Sequence, residues 1–143
     1  MAGKYGSKDV TISLADAPGG TPRQIKDFVM ELGGAKIVVE LQSSEAFGDL
    51  WKEYTPTGQR SSPAIPISGN FDTTATTGPH VVFMPTASDA DPNSVGRALV
   101  LVFGDAKTFT VTVHLNDYEV QGNNGKLTSF TATIQPTGAA VWS

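Results

Sequence analysis

The stretch that decides the fold runs from Phe109 to Ser143: FTVTVHLNDYEVQGNNGKLTSFTATIQPTGAAVWS. Phe109, Val111, Val113 and Leu115 fall on one side of a period-two alternation, and Thr110, Thr112 and His114 on the other. That is the pattern of a strand with one buried face. Gly122-Asn123-Asn124-Gly125 interrupts it with residues that accept a positive φ cheaply. A second alternating run follows, with Phe130, Ala132 and Ile134 facing inward. Two long strands about a Gly/Asn turn make an antiparallel ribbon. The ribbon closes on Trp142 without a polar tail, so this end is expected to be docked, in its own sheet or against a neighbour.

Moving upstream, Gly104–Lys107 (GDAK) is a four-residue hairpin turn into the ribbon. Before it, RALVLVF (Arg97–Phe103) is continuously apolar and predicts a strand covered on both faces. PTASDADPNSVG (Pro85–Gly96) reads as a polar loop, and HVVFM (His80–Met84) as a strand. KDVTISLAD puts Val10, Ile12 and Leu14 on one face of a strand, and AKIVVELQS does the same with Ile37, Val39 and Leu41. With Phe109, Val111, Val113, Phe130 and Ile134, all but Leu41 make up the expected core.

Two segments read as short amphipathic helices. In Thr21–Leu32, Thr21 can cap, Pro22 suits the first helical position, Ile25, Phe28, Val29 and Leu32 recur at helical spacing, and Gly33–Gly34 stops the run. In SSEAFGDLWKEY, Ser43 or Ser44 can cap a stripe of Phe47, Leu50, Trp51 and Tyr54, read as core packing. Residues 55–79 hold four prolines and three glycines and read as a long loop, with Pro66 confining IPISG to an edge or irregular strand. The expected class is mainly β: two packed antiparallel sheets, as sandwich or barrel, with one or two short flanking helices and a long loop.

The 143 residues suit one domain, enough to bury a core without staples. Cysteine is absent, so disulfides and thiolate metal sites are excluded and the redox compartment is unreadable. No run of about 18 apolar residues is present, and no partner membrane is expected. MAGKYGSKDV lacks the apolar core of a signal peptide, which points to synthesis and assembly in a cytoplasm. Ten basic residues against fourteen acidic give −4, and only Arg23 and Lys26 lie within three residues of each other. A nucleic-acid reader needs a basic stripe to displace counterions, and there is none.

Chemistry is sparse. His80 and His114 both sit in strand-like contexts and read as solvent-facing rather than as a catalytic pair. PISGN around Ser68 fails the nucleophile-elbow pattern, and GNNGKLT fails the phosphate-loop pattern. Asp89, Asp91 and Asn93 offer oxygens to a cation, but without the glycine and distal glutamate of an EF-hand. Asp49 and Glu53 are spaced as a solvated pair on an exposed helix face, with nothing to split their pKa values. No enzyme and no cofactor is expected.

Three stretches, taken in order, carry a resemblance. They are TISLADAPGGTPRQIKDFV, SEAFGDLWKEYTPTGQRSSPAIPISGNFDTTATTGP, and GKLTSFTATIQPTGAAVW with its closing Thr-Gly step. Their order and spacing resemble the tail tube, or major tail, proteins of long-tailed bacteriophages, especially those with non-contractile tails. The resemblance implies a structural subunit forming rings, six to a ring, that stack into the conduit for genome ejection. It implies self-association, other tail proteins at the tube ends, DNA passing the lumen without specific binding, and a place in the virion tail. Residues 1–143 are then one tube domain, without the immunoglobulin-like domain that some relatives append. The candidate interface is the loop bearing Thr55, Pro56, Gly58, Arg60, Ser61, Pro63, Phe71 and Thr77, and the candidate lumen-facing acids are Asp9, Glu40 and Glu119. The alternative is a virion-surface or carbohydrate-binding β-sandwich, which usually displays clustered exposed aromatics. A small hydrolase comes third.

Overall fold

A computed structural model describes Gly6 and residues 9–48, 50–75 and 78–143. The chain is mainly β, with a seven-stranded sheet, a separate two-stranded sheet and a few short helical turns. The strands are β1 (Thr11–Ala15), β2 (Pro22–Gln24), β3 (Val29–Leu32), β4 (Val38–Ser44), β5 (Glu53–Ser61), β6 (Ile65–Asn70), β7 (Arg97–Val102), β8 (Thr108–Gln121) and β9 (Ser129–Trp142). The large sheet runs β2-β1-β7-β8-β9-β6-β3, antiparallel throughout.

The sheet is curled, and its two edges are tied by a four-residue turn, Ile25–Phe28. The Ile25 amide donates to the Ile12 carbonyl on β1 at 3.0 Å, and the Asn70 amide donates to Phe28 at 3.1 Å. One turn thus bridges the β2 edge to the β3 edge. Inside the curl lie Ile12, Leu14, Ile65, Ile67, Leu99, Leu101, Phe109, Val111, Val113, Phe130, Ala132 and Ile134. The expected core holds, with one correction: Val39 is 48% exposed. Val10 and Ile37 are partly buried against the cluster.

Among the described residues neither expected helix forms. Pro22–Gln24 and Val29–Leu32 are short edge strands, pairing β1 and β6. Ile25 is buried as the period suggested, but the open edges of a curled sheet need backbone partners that a helix cannot supply. Residues 45–48 and 50–52 belong to the connection of the β4–β5 hairpin, with Gly48 at φ +90°. A helix this short is marginal alone, and strand pairing on either side overrides the stripe. Asp49, half of the solvated pair, lies outside the described residues.

Among the described residues the one α-helix is the short α1 (Pro79–Phe83), where a strand is expected from HVVFM. Pro79 stands at its start, and Val82 and Phe83 drop into the core. Phe83 packs on Phe130 at 5.4 Å and stacks on Tyr118 at 6.2 Å. A 3-10 turn, Ala87–Ala90, follows with a capping box between Thr86 and Asp89. Strand β7 is buried on one face only: its pattern alternates, and Ala98 is exposed.

Candidate subunit interface

The long loop expected over residues 55–79 is largely strand. Thr55, Pro56, Gly58, Arg60 and Ser61 lie on β5, which pairs β4 from Val38 opposite Ser61 to Ser44 opposite Glu53. Threonine-rich sequence supplies the β propensity. Pro56 is tolerated because a two-stranded sheet is all edge. Gly58, at φ +90°, lies where the register shifts between Val39 and Leu41. Pro63 lies in the connection to β6. Phe71 turns inward and meets His80 edge-on at 5.2 Å. Thr77 lies outside the described residues.

Every residue of β4 and β5 is exposed. Val39, Leu41 and Tyr54 are 48%, 57% and 59% exposed, and at the tip Phe47, Leu50 and Trp51 reach 110%, 93% and 84%. Lys52 Nζ and Glu45 Oε1 pair at 3.7 Å across the base of the tip. An isolated two-stranded hairpin is at best marginally stable in water, and a contiguous apolar surface marks a place where something binds. The stripe read as core packing is therefore the apolar tip of a projecting arm. The aromatic residues were visible in the sequence; their exposure was not, because helix and hairpin tip share the spacing.

The root of the arm rests near β9. Gln135 Nε2 donates to the Ser62 carbonyl at 3.1 Å, and a cavity of about 350 Å³ lies between Gly58, Arg60–Ser62 and Gly138–Ala140. Strands β8 and β9 outrun their neighbours. Strand β7 pairs β8 only over Thr108–Val113, and β6 pairs β9 only over Ser129–Ile134. The far half of β8 and the far half of β9 are each left with one edge outside the sheet.

The candidate acids are not brought together. Asp9 precedes β1, Glu40 lies on β4, and Glu119 on the far half of β8; all three are exposed. Glu40 accepts from the Thr57 hydroxyl at 3.5 Å and Glu119 from Gln121 Nε2 at 2.7 Å. His80 is half-buried on α1, not on a strand, with Nδ1 3.1 Å from the Tyr118 hydroxyl. Burial pushes the Tyr118 phenol up. The possible cation loop is otherwise engaged: Asp89 faces Arg97, and Asp91 accepts from the Asn93 amide at 2.9 Å.

No family model matches the sequence, and no curated protein does. Solved structures do. The tail of an empty gene transfer agent particle with C6 symmetry superposes with TM-score 0.75 at 15% identity, covering 98% of this chain and 99% of that one. The chain has a tail-tube fold. The SPP1 tail tube gives TM-score 0.67 at 10% identity over 98% of this chain and 79% of that one. A chain of the anti-feeding prophage baseplate, six-fold symmetrised, gives 0.73 at 9% identity over 100% and 97%.

Proposed function

We propose that the chain is a structural subunit of a phage-type tail tube, stacking as hexameric rings to form the conduit for genome ejection. The observation that carries this reading is a match over nearly the whole of both chains to a C6-symmetric tail. The surface supports it. The arm carries apolar side chains that a lone monomer would leave wet, and the far edges of β8 and β9 are different surfaces, as head-to-tail contacts require. The partners are then further copies, with other tail proteins at the ends, in a virion tail assembled in the host cytoplasm. DNA passes without a specific site, in keeping with −4 per chain and scattered basic residues, and Asp9, Glu40 and Glu119 are proposed for the wall.

The test is direct. The purified protein should sediment as rings or longer species and show annular or tubular particles by negative stain. A monodisperse monomer at every concentration would overturn the reading. The carbohydrate-binding alternative gains one observation, since Phe47, Trp51 and Tyr54 are exposed on a single hairpin. Leu50, Leu41 and Val39 beside them suit a protein contact better than a hydroxyl-rich sugar, and a glycan screen separates the two.

A further inference from the structure

We infer that the tip of the arm, Phe47, Leu50 and Trp51, seats in the groove between β1, β3 and β6 of a second copy of this chain. The inference rests on the assembly reading above and names the surface that receives the arm. The groove has a volume of about 740 Å³ and is lined mainly by apolar side chains, among them Ile12, Val29, Met30, Leu32, Pro66 and Phe103. That volume lies in the range that takes a cluster of side chains. Two aromatics and a leucine offer on the order of 500 Å² of apolar surface. Counting the groove side as well, the contact buries roughly 1,000 Å², about the threshold for a specific interface.

The rims match in charge. Lys26 and Glu31 line the groove, and among the described residues neither makes an ion pair. The tip carries Glu45 and Lys52, which pair with each other across an exposed 3.7 Å gap, and Glu53, so Lys26 has a carboxylate to meet and Glu31 a lysine that exchanges its exposed partner.

The contact must be made in trans. Gly33, Gly34 and Ala35 line the groove, and β4 begins at Val38, so the groove lies at the root of its own arm. Strand β4 has seven residues, which places the tip roughly 23 Å from the root at the usual strand rise. The tip cannot fold back without breaking the β4–β5 ladder. Knob and hole lie at different places on one chain, so the contact repeats from copy to copy rather than closing on itself.

The absence of cysteine makes cross-linking unambiguous. Full-length W51C and full-length M30C are mixed, oxidised and run on non-reducing gels, beside sedimentation and negative stain. The expected result is a W51C–M30C heterodimer, a ladder from the double variant, and no heterodimer when W51C is mixed with L127C, an exposed position in the β8–β9 turn. Adding G34L should abolish the cross-link, because a Cβ at Gly34 meets open space and the added side chain fills the groove without straining the fold. Rings or tubes without the heterodimer, or only W51C homodimers, would overturn the inference and leave the tube reading standing. A heterodimer without rings or tubes would support the contact and overturn the tube. Neither cross-link nor assembly would overturn both.

Discussion

The Arg97 guanidinium holds four pieces of chain together. It is fully buried and donates to both carboxylate oxygens of Asp89, Nε to Oδ1 at 2.9 Å and Nη2 to Oδ2 at 2.6 Å. It also reaches the carbonyls of Ala15, Val82 and Met84, which ties β1, α1 and the following turn to β7. Removing one partner of a buried pair strands the other charge, so D89N should cost about 3–5 kcal/mol by urea melts, with the apolar double variant R97M/D89L recovering most of it. Burial raises the Asp89 carboxyl, but the hydrogen bonds from Arg97 and Thr86 outweigh it and hold the group below the ordinary 3.8. A depressed folded-state value means stability that is complete above that pH and drains as pH falls through the lower value. Acid melts of the wild type should show this loss below about pH 3.8, and D89N should lack it. A second residue-scale strain sits in the β7–β8 turn, where Asp105 and Ala106 hold φ of 59° and 55°. The left-handed region costs a non-glycine residue about 1–2 kcal/mol, while glycine loses roughly 0.5–1 kcal/mol of chain entropy. A106G should therefore stabilise slightly, by about 0.5–1 kcal/mol, read as a higher urea midpoint at unchanged slope.

Among elements, strands with one inward face were legible and those without one were not. Strands β1, β8 and β9 alternate because the curled sheet buries one face, and that alternation is printed in the sequence. The bulge at Leu115/Asp117 is the exception inside a good stretch: one extra residue moves the inward positions from Leu115 to Tyr118, where the ring meets Phe83 and Phe130. Strands β2 and β3 are three and four residues long, too short for a period of two to stand out from a helical one. The arm was hidden for a different reason. Its apolar residues face solvent in a single copy, and a sequence cannot say whether a hydrophobic stripe is covered by its own chain or by another. Exposure gives a sharp expectation. Replacing Phe47, Leu50 and Trp51 together by serine should leave monomer stability within about 0.5 kcal/mol, as surface changes usually do. The same variant should fail to form higher species in sedimentation. A variant that unfolds would return these residues to the core; one that still assembles would remove the arm from the interface.

At the scale of the whole molecule, charge and apolar surface pull assembly in opposite directions, and salt tells them apart. Each copy carries −4, and the sixfold ring proposed above would carry six times that in a small volume. Like charges at this density repel, and the reach of the repulsion is set by the Debye length, about 10 Å at 0.1 M salt and about 3 Å at 1 M. The surfaces proposed to join copies are apolar at the arm and backbone edges at β8 and β9, and neither weakens when ions are added. Apolar burial is strengthened by excluded salts such as sulfate. The rim charges of the groove, Lys26 and Glu31, are few and exposed, and exposed ion pairs are worth little. Screening should therefore remove more repulsion than attraction. The expected outcome is a critical concentration for assembly that falls as sodium chloride rises from 0.1 to 1 M, and falls further with sulfate at equal ionic strength, measured by light scattering and sedimentation. An interface held by charge pairs would behave in the opposite way and dissolve in salt. That result would shift the joining surfaces from the apolar arm to the scattered lysines and arginines, and would leave the exposure of Phe47, Leu50 and Trp51 without a role in assembly.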